Sequence, residues 1–398
     1  MARQERFSTL PLMPSCPVLF IIFNRPEYTR ESLAAIRAAK PKKLYIAADG
    51  PREGRDGEKE LCEETRSLVL NSIDWECEVK TRFQEKNLGC YLGLSSAISW
   101  LFENEEMGII FEDDVVANLS FFRFCEELLE KYKEEKKIWT ISGYNWLSPM
   151  DISESFYFTQ TFSCWGWATW ANRWKSYSLD LADYNYANLK NIENKFARRN
   201  WLEILAIMQS DNPIDTWDYR YHLRGIEHNA LHIIPSKNLC KNIGDFGVHS
   251  NEANPFYNLP TFEIQKIIYP VSIELNRKIQ PMVDEHFSKN VMPLPFPEIR
   301  EIPEERELFF WGTGRDAVRA LGQAKYNGYR ITAFVDSNKE MQGNKFNGYN
   351  VISPKELFEK KFSSYFVVIA STRYADEIAN ELEKNSLVRG RDYWTPIN

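Results

Sequence analysis

Apolar and polar positions follow two alternating regimes over the first 145 residues of the chain. Short runs that are apolar at nearly every position, PVLFIIF (17–23), KLYIAA (43–48) and MGIIF (107–111), recur with CEVKTRF (77–83) as a further β-rich run. Between them lie longer stretches with helical spacing: EYTRESLAAIRAAK (27–40), GEKELCEETRSLVLNSI (57–73) and YLGLSSAISWLFEN (91–104). Strands apolar on both faces, joined by amphipathic helices, predict βαβ units and a parallel sheet covered on both sides. Residues 119–133 read as one more amphipathic helix, capped by Asn118, and KIWTIS (137–142) as the strand that follows. The expected fold class is therefore α/β.

From about 150 to 260 the pattern turns irregular and aromatic-rich, with SCWGWATW, NRWKSY and DTWDYRYH standing out. A proline-bearing stretch from about 254 to 304 has no clean period and reads as a connecting segment. The alternation restarts at Glu307 with strand ELFFW, helix DAVRALGQAKY, strand RITAFVD, strand YFVVIAS and helix YADEIANELEK, which predicts a second, smaller α/β domain. Two domains also suit a chain of 398 residues, longer than a single hydrophobic core usually serves.

Composition narrows the classes. With 43% hydrophobic, 26% charged and 14% aromatic residues the chain is globular. A net charge of -7 argues against nucleic acid as partner, because a phosphate backbone is met by a basic stripe. The seven cysteines are odd in number, scattered and nowhere in C-x-x-C spacing, which suits reduced thiols in a cytosol. The apolar run Val18–Phe23 is too short for a signal segment or a membrane span. A cytoplasmic protein without a transmembrane segment is expected, with docking to a lipid-linked acceptor at the inner membrane face left open.

Candidate chemistry begins where MGIIF runs into Glu112, Asp113 and Asp114. Carboxylates at the carboxyl edge of a parallel sheet stand where ligands bind in open α/β folds. Adjacent carboxylates repel, and hard cations such as Mg²⁺ or Mn²⁺ accept their oxygens together with substrate phosphates. A solvated acidic turn is the competing reading of an isolated triplet. Two other strand ends favour a site: Phe23-Asn24-Arg25-Pro26 and Ala47-Ala48-Asp49-Gly50-Pro51 place Arg25 and Asp49 on the same edge. Arg25 could pair with a phosphate, and Asp49 could accept from a uracil N–H or a ribose hydroxyl.

The motifs FNRP (23–26), ADGP (48–51), NLGC (87–90), FEDD (111–114), CWGWATW (164–170), TWDYRY (216–221) and NIGDFGVHS (242–250) occur in an order that resembles the GT-A class of nucleotide-diphospho-sugar transferases. The likeness is to bacterial family 2-like glycosyltransferases and the Golgi N-acetylglucosaminyltransferase I family, over roughly residues 15–255. It implies a GT-A domain with a mostly parallel central sheet and a UDP-sugar donor, N-acetylglucosamine or another hexose. It also implies a glycan or lipid-linked glycan acceptor in bacterial surface polysaccharide synthesis. Asp114 becomes the metal ligand, Glu112 and Asp113 contact ribose or metal-bound water, and Arg25, Asp49, Gly50, Asn87 and Gly89 border the nucleotide. His249, in the loop that closes over the nucleotide, is a candidate nucleotide contact and late metal ligand.

In CWGWATW, Gly166 between two indoles would let the backbone approach a sugar hydroxyl while Trp165 or Trp167 stacks on the ring; a tryptophan-rich core corner is the plainer alternative. Inverting transfer needs a carboxylate to take the acceptor proton. Of Asp211, Asp215 and Asp218, only Asp218 lies inside the W-D-aromatic pattern and is the first choice, with Asp215 in reserve. A helix cap is the structural alternative for Asp218.

Near the C-terminus, Gly312, Gly314 and Ala317 follow a strand and open a helix, and Asp336 ends the next strand, as in a dinucleotide fingerprint. This part resembles small Rossmann-like domains fused to bacterial polysaccharide-biosynthesis enzymes. A nucleotide or other phosphate-bearing ligand at Gly312 and Gly314, with Asp336 as a further contact, and a purely structural or docking role weigh equally. The expected layout is a GT-A domain over 1–255, a connecting segment over 256–304 and a Rossmann-like domain over 305–398. Two other readings compete. A nucleotidyltransferase would carry a Gly-rich basic loop near its first strand, which FNRPEYTR lacks. An NAD(P)-binding protein acting through the C-terminal domain leaves the aromatic loop and Asp218 without a task.

Overall fold

The computed structural model describes residues 14–244, 258–290, 296–300, 302–303 and 305–397. These form two compact units: one from the N-terminus to Tyr177 plus Asp215–Val283, the other from Ser178–Ile214 plus Asp284–Asn398.

The first unit opens with β1 (Val18–Ile22), α1 (Pro26–Ala39), β2 (Lys43–Ala48), α2 (Glu58–Asn71), β3 (Glu78–Phe83), α3 (Gly89–Asn104) and β4 (Met107–Glu112). It continues with β5 (Val115–Ala117), α4 (Leu119–Lys131), β6 (Ile138–Ser142), β7 (Phe156–Thr159), β8 (Trp167–Trp170) and α5 (Ala171–Trp174). After α6 (Lys195–Met208), which belongs to the second unit, come α7 (Asp218–Glu227), β9 (Leu231–Pro235) and β10 (Cys240–Asn242). The division between units falls inside α8 (Gln280–Asn290).

An eight-stranded sheet runs in the order β3-β2-β1-β4-β8-β6-β9-β7. Strands β1 to β4 are parallel, as their unbroken apolar runs predict. β8 lies antiparallel between β4 and β6, so the sheet is mixed though mostly parallel. Successive residues of β1 and β4 face opposite sides. Phe20, Ile22, Ile109 and Phe111 pack with Leu33 and Ile36 of α1 and Leu128 of α4. Leu19, Ile21 and Ile110 pack with Ala97, Ile98 and Leu101 of α3 and with Trp217 and Tyr221. The strands therefore end between two helical layers. The Asn118 cap is realised, its side chain accepting from the Ser120 N–H.

The second unit carries β11 (Glu307–Trp311), α9 (Arg315–Asn327), β12 (Ile331–Val335), β13 (Lys345–Phe346), β14 (Tyr349–Ile352), α10 (Pro354–Phe358), β15 (Tyr365–Ile369), α11 (Ala375–Lys384) and β16 (Tyr393–Trp394). Its sheet order is β13-β14-β12-β11-β15-β16, parallel except for the β13–β14 hairpin. The compact units depart from the boundaries at 255 and 305. α6 comes from the irregular region yet packs on α9, with Ala206, Ile207 and Val318 in one apolar cluster. Asp211 and Asn347 exchange hydrogen bonds of 3.0 and 2.8 Å. The amphipathic period shows that 195–208 is a helix, but not which sheet its apolar face will cover.

Candidate active site at the carboxyl edge of the first sheet

The two strand ends β1 and β4 are adjacent in the sheet, so the Arg25 loop and the Glu112-Asp113-Asp114 run emerge side by side. The Arg25 guanidinium bonds to Asp113 and, at 2.9 Å, to Asp114 Oδ2. Asp113, 3% exposed, also accepts the Phe23 N–H at 3.3 Å, and its carbonyl accepts the Ser32 hydroxyl at 2.9 Å. Burial pushes the Asp113 carboxyl up to about 6 even though Arg25 pulls the other way. Burial opposes the charge on Arg25, but Asp113 and Asp114 outweigh it and hold the guanidinium charged. Glu112 lies on the same sheet side as Ile110, facing α3. Its carboxyl is raised well above the usual range by burial, then by the charges of Asp114, Asp113 and Asp218.

Asp114 is reached by a segment far along the chain. β10 pairs with β5, setting Asn242 opposite Val115. The Ile243 N–H bonds to the Asp114 carbonyl at 2.8 Å, and Asn242 Nδ2 stands 3.4 Å from Asp114 Oδ1. A Cβ on Gly244 would lie 2.5 Å from Asp114 Oδ2, so this side of the carboxylate is kept open by the lack of a side chain. Among the described residues, the cation paired within this cluster of three carboxylates is Arg25. That imbalance, the oxygen donors and the cradle at Gly244 fit a hard divalent cation. Asp114 and Glu112, both half-buried, would hold it, since the buried Asp113 is taken up by Arg25 and the Phe23 N–H. Among the described residues no group of three or more His, Cys, Asp and Glu is already arranged to close around a metal.

Asp49, which its position places at the same edge, is bonded within the protein. Its carboxylate accepts the N–H groups of Gly50 (2.8 Å), Leu88 (2.9 Å) and Gly89 (3.1 Å) and the Asn87 amide (3.0 Å). A carboxylate offers about four acceptor positions, so a uracil N–H or a ribose hydroxyl would have to displace one of these bonds. Burial still raises Asp49, against those N–H donors. Asn87 also donates to the Gly50 carbonyl at 2.9 Å. Asp49, Gly50, Asn87 and Gly89 thus form a knot between the end of β2 and the start of α3. Arg66, which sequence reasoning passed over, tightens it by donating to the Asp49 and Gln84 carbonyls at 2.9 and 2.7 Å.

The aromatic loop divides. Trp167 is 1% exposed and stacked on Trp217 at 5.4 Å, so it belongs to the core and presents no face to a sugar ring. Gly166, at φ +70°, lacks a side chain because a Cβ there would meet Cys240 Sγ at 2.5 Å; the space serves packing rather than a sugar hydroxyl. Trp165 is half-buried, with Tyr144 edge-on at 4.7 Å, and remains the indole that could meet a ligand. Asp218 opens α7, and the Thr216 hydroxyl donates to it. Its charge acts with that of Glu112 on the thiols of Cys90 and Cys164, both raised first by burial. Those four groups therefore share one neighbourhood. Asp215 instead accepts the Tyr91 and Cys90 N–H groups at 2.9 and 3.3 Å, as a cap on α3. Asp211 bonds to Asn347 in the second unit. His249 lies outside the described residues.

In the second unit, Gly312, Gly314 and Asp336 stand at the carboxyl ends of β11 and β12. Thr313 donates to Asp336 at 2.6 Å, and Asp316 accepts the Thr372 N–H at 2.8 Å. All seven cysteines are unbridged. Among the described residues no helix is long and apolar enough to cross a membrane.

Residues 304–390 match the family described as C2185-like, N-terminal. No curated protein matches the chain in sequence. Solved structures give remote likenesses. UDP-glucose pyrophosphorylase complexed with UDP-glucose aligns with 57% of this chain and 92% of its own, at 10% identity and a TM-score of 0.30. The inositol-1-phosphate CTP transferase of T. maritima aligns with 60% and 94%, at 9% identity and 0.29. The glycosyltransferase GlyE of Streptococcus pneumoniae TIGR4 aligns with 95% and 93%, at 10% identity and 0.27. At such scores the residues of the site have to carry the functional reading.

Proposed function

We propose that the first unit is an inverting, metal-dependent glycosyltransferase that moves a sugar from a UDP-sugar to a hydroxyl of a glycan acceptor. The observation that carries this reading is the excess of carboxylate over Arg25 at the sheet edge, buried at Asp113 and half-buried at Glu112 and Asp114, in the same electrostatic neighbourhood as Asp218. Three carboxylates gathered where one cation cannot neutralise them are costly to fold. A cation and a diphosphate would complete such an arrangement.

Mn²⁺ or Mg²⁺ held by Asp114 and Glu112 would supply charge to offset the diphosphate. Arg25 adds a fixed cation on the same side. Asp218 takes the proton of the acceptor hydroxyl as its oxygen bonds to the anomeric carbon, and the bond from that carbon to the UDP oxygen breaks on the opposite face. The products are UDP and a glycan extended with inverted configuration. Thr216 orients the Asp218 carboxylate through its hydroxyl. Trp165 is the candidate platform for the sugar ring. Donor identity, N-acetylglucosamine or another hexose, and a role in bacterial surface polysaccharide synthesis rest on the motif resemblance. For the second unit a Rossmann-like domain is proposed, with Gly312, Gly314 and Asp336 serving either a nucleotide ligand or a purely structural or docking role.

The test is release of UDP from a panel of UDP-sugars, with and without Mn²⁺, by the wild type, Asp114→Ala and Asp218→Asn. Metal-dependent UDP release lost in Asp114→Ala supports the reading. Release of pyrophosphate from a nucleoside triphosphate and a sugar phosphate would replace it with nucleotidyl transfer.

A further inference from the structure

Building on the assignment of Asp218 as the base, we propose that Asp215 is a positioning residue that hangs the base-bearing loop on the first turn of α3. The N–H groups at the start of a helix have no carbonyl partner within it. At α3 two carboxylates from distant parts of the chain take them. Asp49, after β2, accepts Leu88 and Gly89, and Asp215 accepts Cys90 and Tyr91. This turn is therefore closed to a phosphate and acts as a joint.

A second tie meets the same residue. The buried Arg220 guanidinium lies 3.9 Å from the centroid of the Tyr91 ring and donates to the Thr216 carbonyl at 2.8 Å. The segment 215–220 is thus fastened to Tyr91 at both ends. Between the fastenings Trp217 is sunk against Trp167 and Phe162, and Asp218 emerges with the Thr216 hydroxyl on its carboxylate. A continuous path of contacts runs from Asp49 through the first turn of α3 and Asp215 to Asp218. A cap that only stabilised α3 would serve equally well from a residue within α3 itself. Here the Leu88 cap position supplies no side-chain bond, and the bonds come from the base-bearing loop.

The proposal separates kcat from KM. Asp215→Ala lowers kcat for transfer about 10–100-fold, the scale on which misplacing a catalytic group by ~1 Å acts, while the KM for the nucleotide sugar stays within about threefold. Asp215→Asn keeps one acceptor for the Tyr91 N–H and loses less, about three- to tenfold. Hydrogen exchange reads the tie without activity: in Asp215→Ala the amides of 88–92 and of 216–220 exchange faster together. An unchanged kcat, a loss confined to KM, or faster exchange at 88–92 alone would overturn the proposal. If Asp215→Ala does not fold, Asp215→Asn is held to the same criteria. If the wild type turns over no nucleotide sugar, the base assignment fails, whereas the exchange experiment still decides whether Asp215 joins the two turns.

Discussion

Each unit buries a carboxylate group that a sheet protein would ordinarily leave in water, and the two are handled in opposite ways. In the second unit Glu203 of α6, 4% exposed, is met by donors alone: the Phe296 N–H at 3.1 Å, the Gln323 amide at 3.5 Å and the Arg319 guanidinium at 3.7 Å. In the first, Glu112, Asp113 and Asp114 face one another and share Arg25. Burial raises carboxyls in both places. Around Glu203 the protein supplies donors that offset part of the burial, whereas at Glu112–Asp114 it sets like charges together at an edge where a ligand can enter. Burial of a carboxyl alone therefore does not mark a site; burial beside other carboxylates does.

The comparison is broken most forcefully through the base. Asp218→Asn lowers kcat for transfer by about 10²–10⁴-fold, the usual contribution of general base catalysis, with binding of the UDP-sugar retained. Steady-state kinetics alongside calorimetric binding check this, and a variant with unchanged kcat would leave the first unit's carboxylates without a partner in chemistry. Next in size, Trp167→Ala costs about 3–5 kcal/mol of stability through the cavity it opens beneath Trp217. Trp165→Ala leaves thermal stability nearly intact and weakens donor binding. Denaturant melts and donor titrations separate the two indoles.

The smallest effect concerns Glu203. Burial raises it to about 7, against the Phe296 N–H and Arg319, from an ordinary value of 4.5. The folded chain thus holds a proton that the unfolded chain releases, and its stability falls as pH rises from about 4.5 to 7. Glu203→Gln keeps an acceptor for the Phe296 N–H and removes that dependence, making the protein more stable above pH 7. A pH series of melting curves checks it. An unchanged slope would show that Glu203 does not hold a proton in the folded chain above its ordinary value.

Much of both sheets was legible because the signals are local. KLYIAA became β2 in the first and ELFFW became β11 in the second residue for residue, and Asn118 caps α4 as its type and place predict. The edge cluster was legible for the same reason, since a parallel strand delivers its last residues to one rim. What escaped depends on partners distant in sequence. The short WATW run gives no sign that β8 will lie antiparallel between β4 and β6. Nothing near Asp49 reveals that α3 will use its acceptors, and nothing near Gly166 reveals Cys240. Asn242 was inside a recognised motif, but its place beside Asp114 follows from the β5–β10 pairing, which no local pattern encodes.

The most direct measurement of the uncompensated site is calorimetric binding of UDP to the wild type and to Asp114→Ala, each with and without Mn²⁺. The account predicts that UDP binds the wild type with Mn²⁺ at least tenfold more tightly than without it, and that Asp114→Ala loses this gain while melting at the wild-type temperature or above, because a repelling charge has been removed. Equal UDP affinity with and without Mn²⁺ in the wild type, or an undiminished gain in Asp114→Ala, would contradict it.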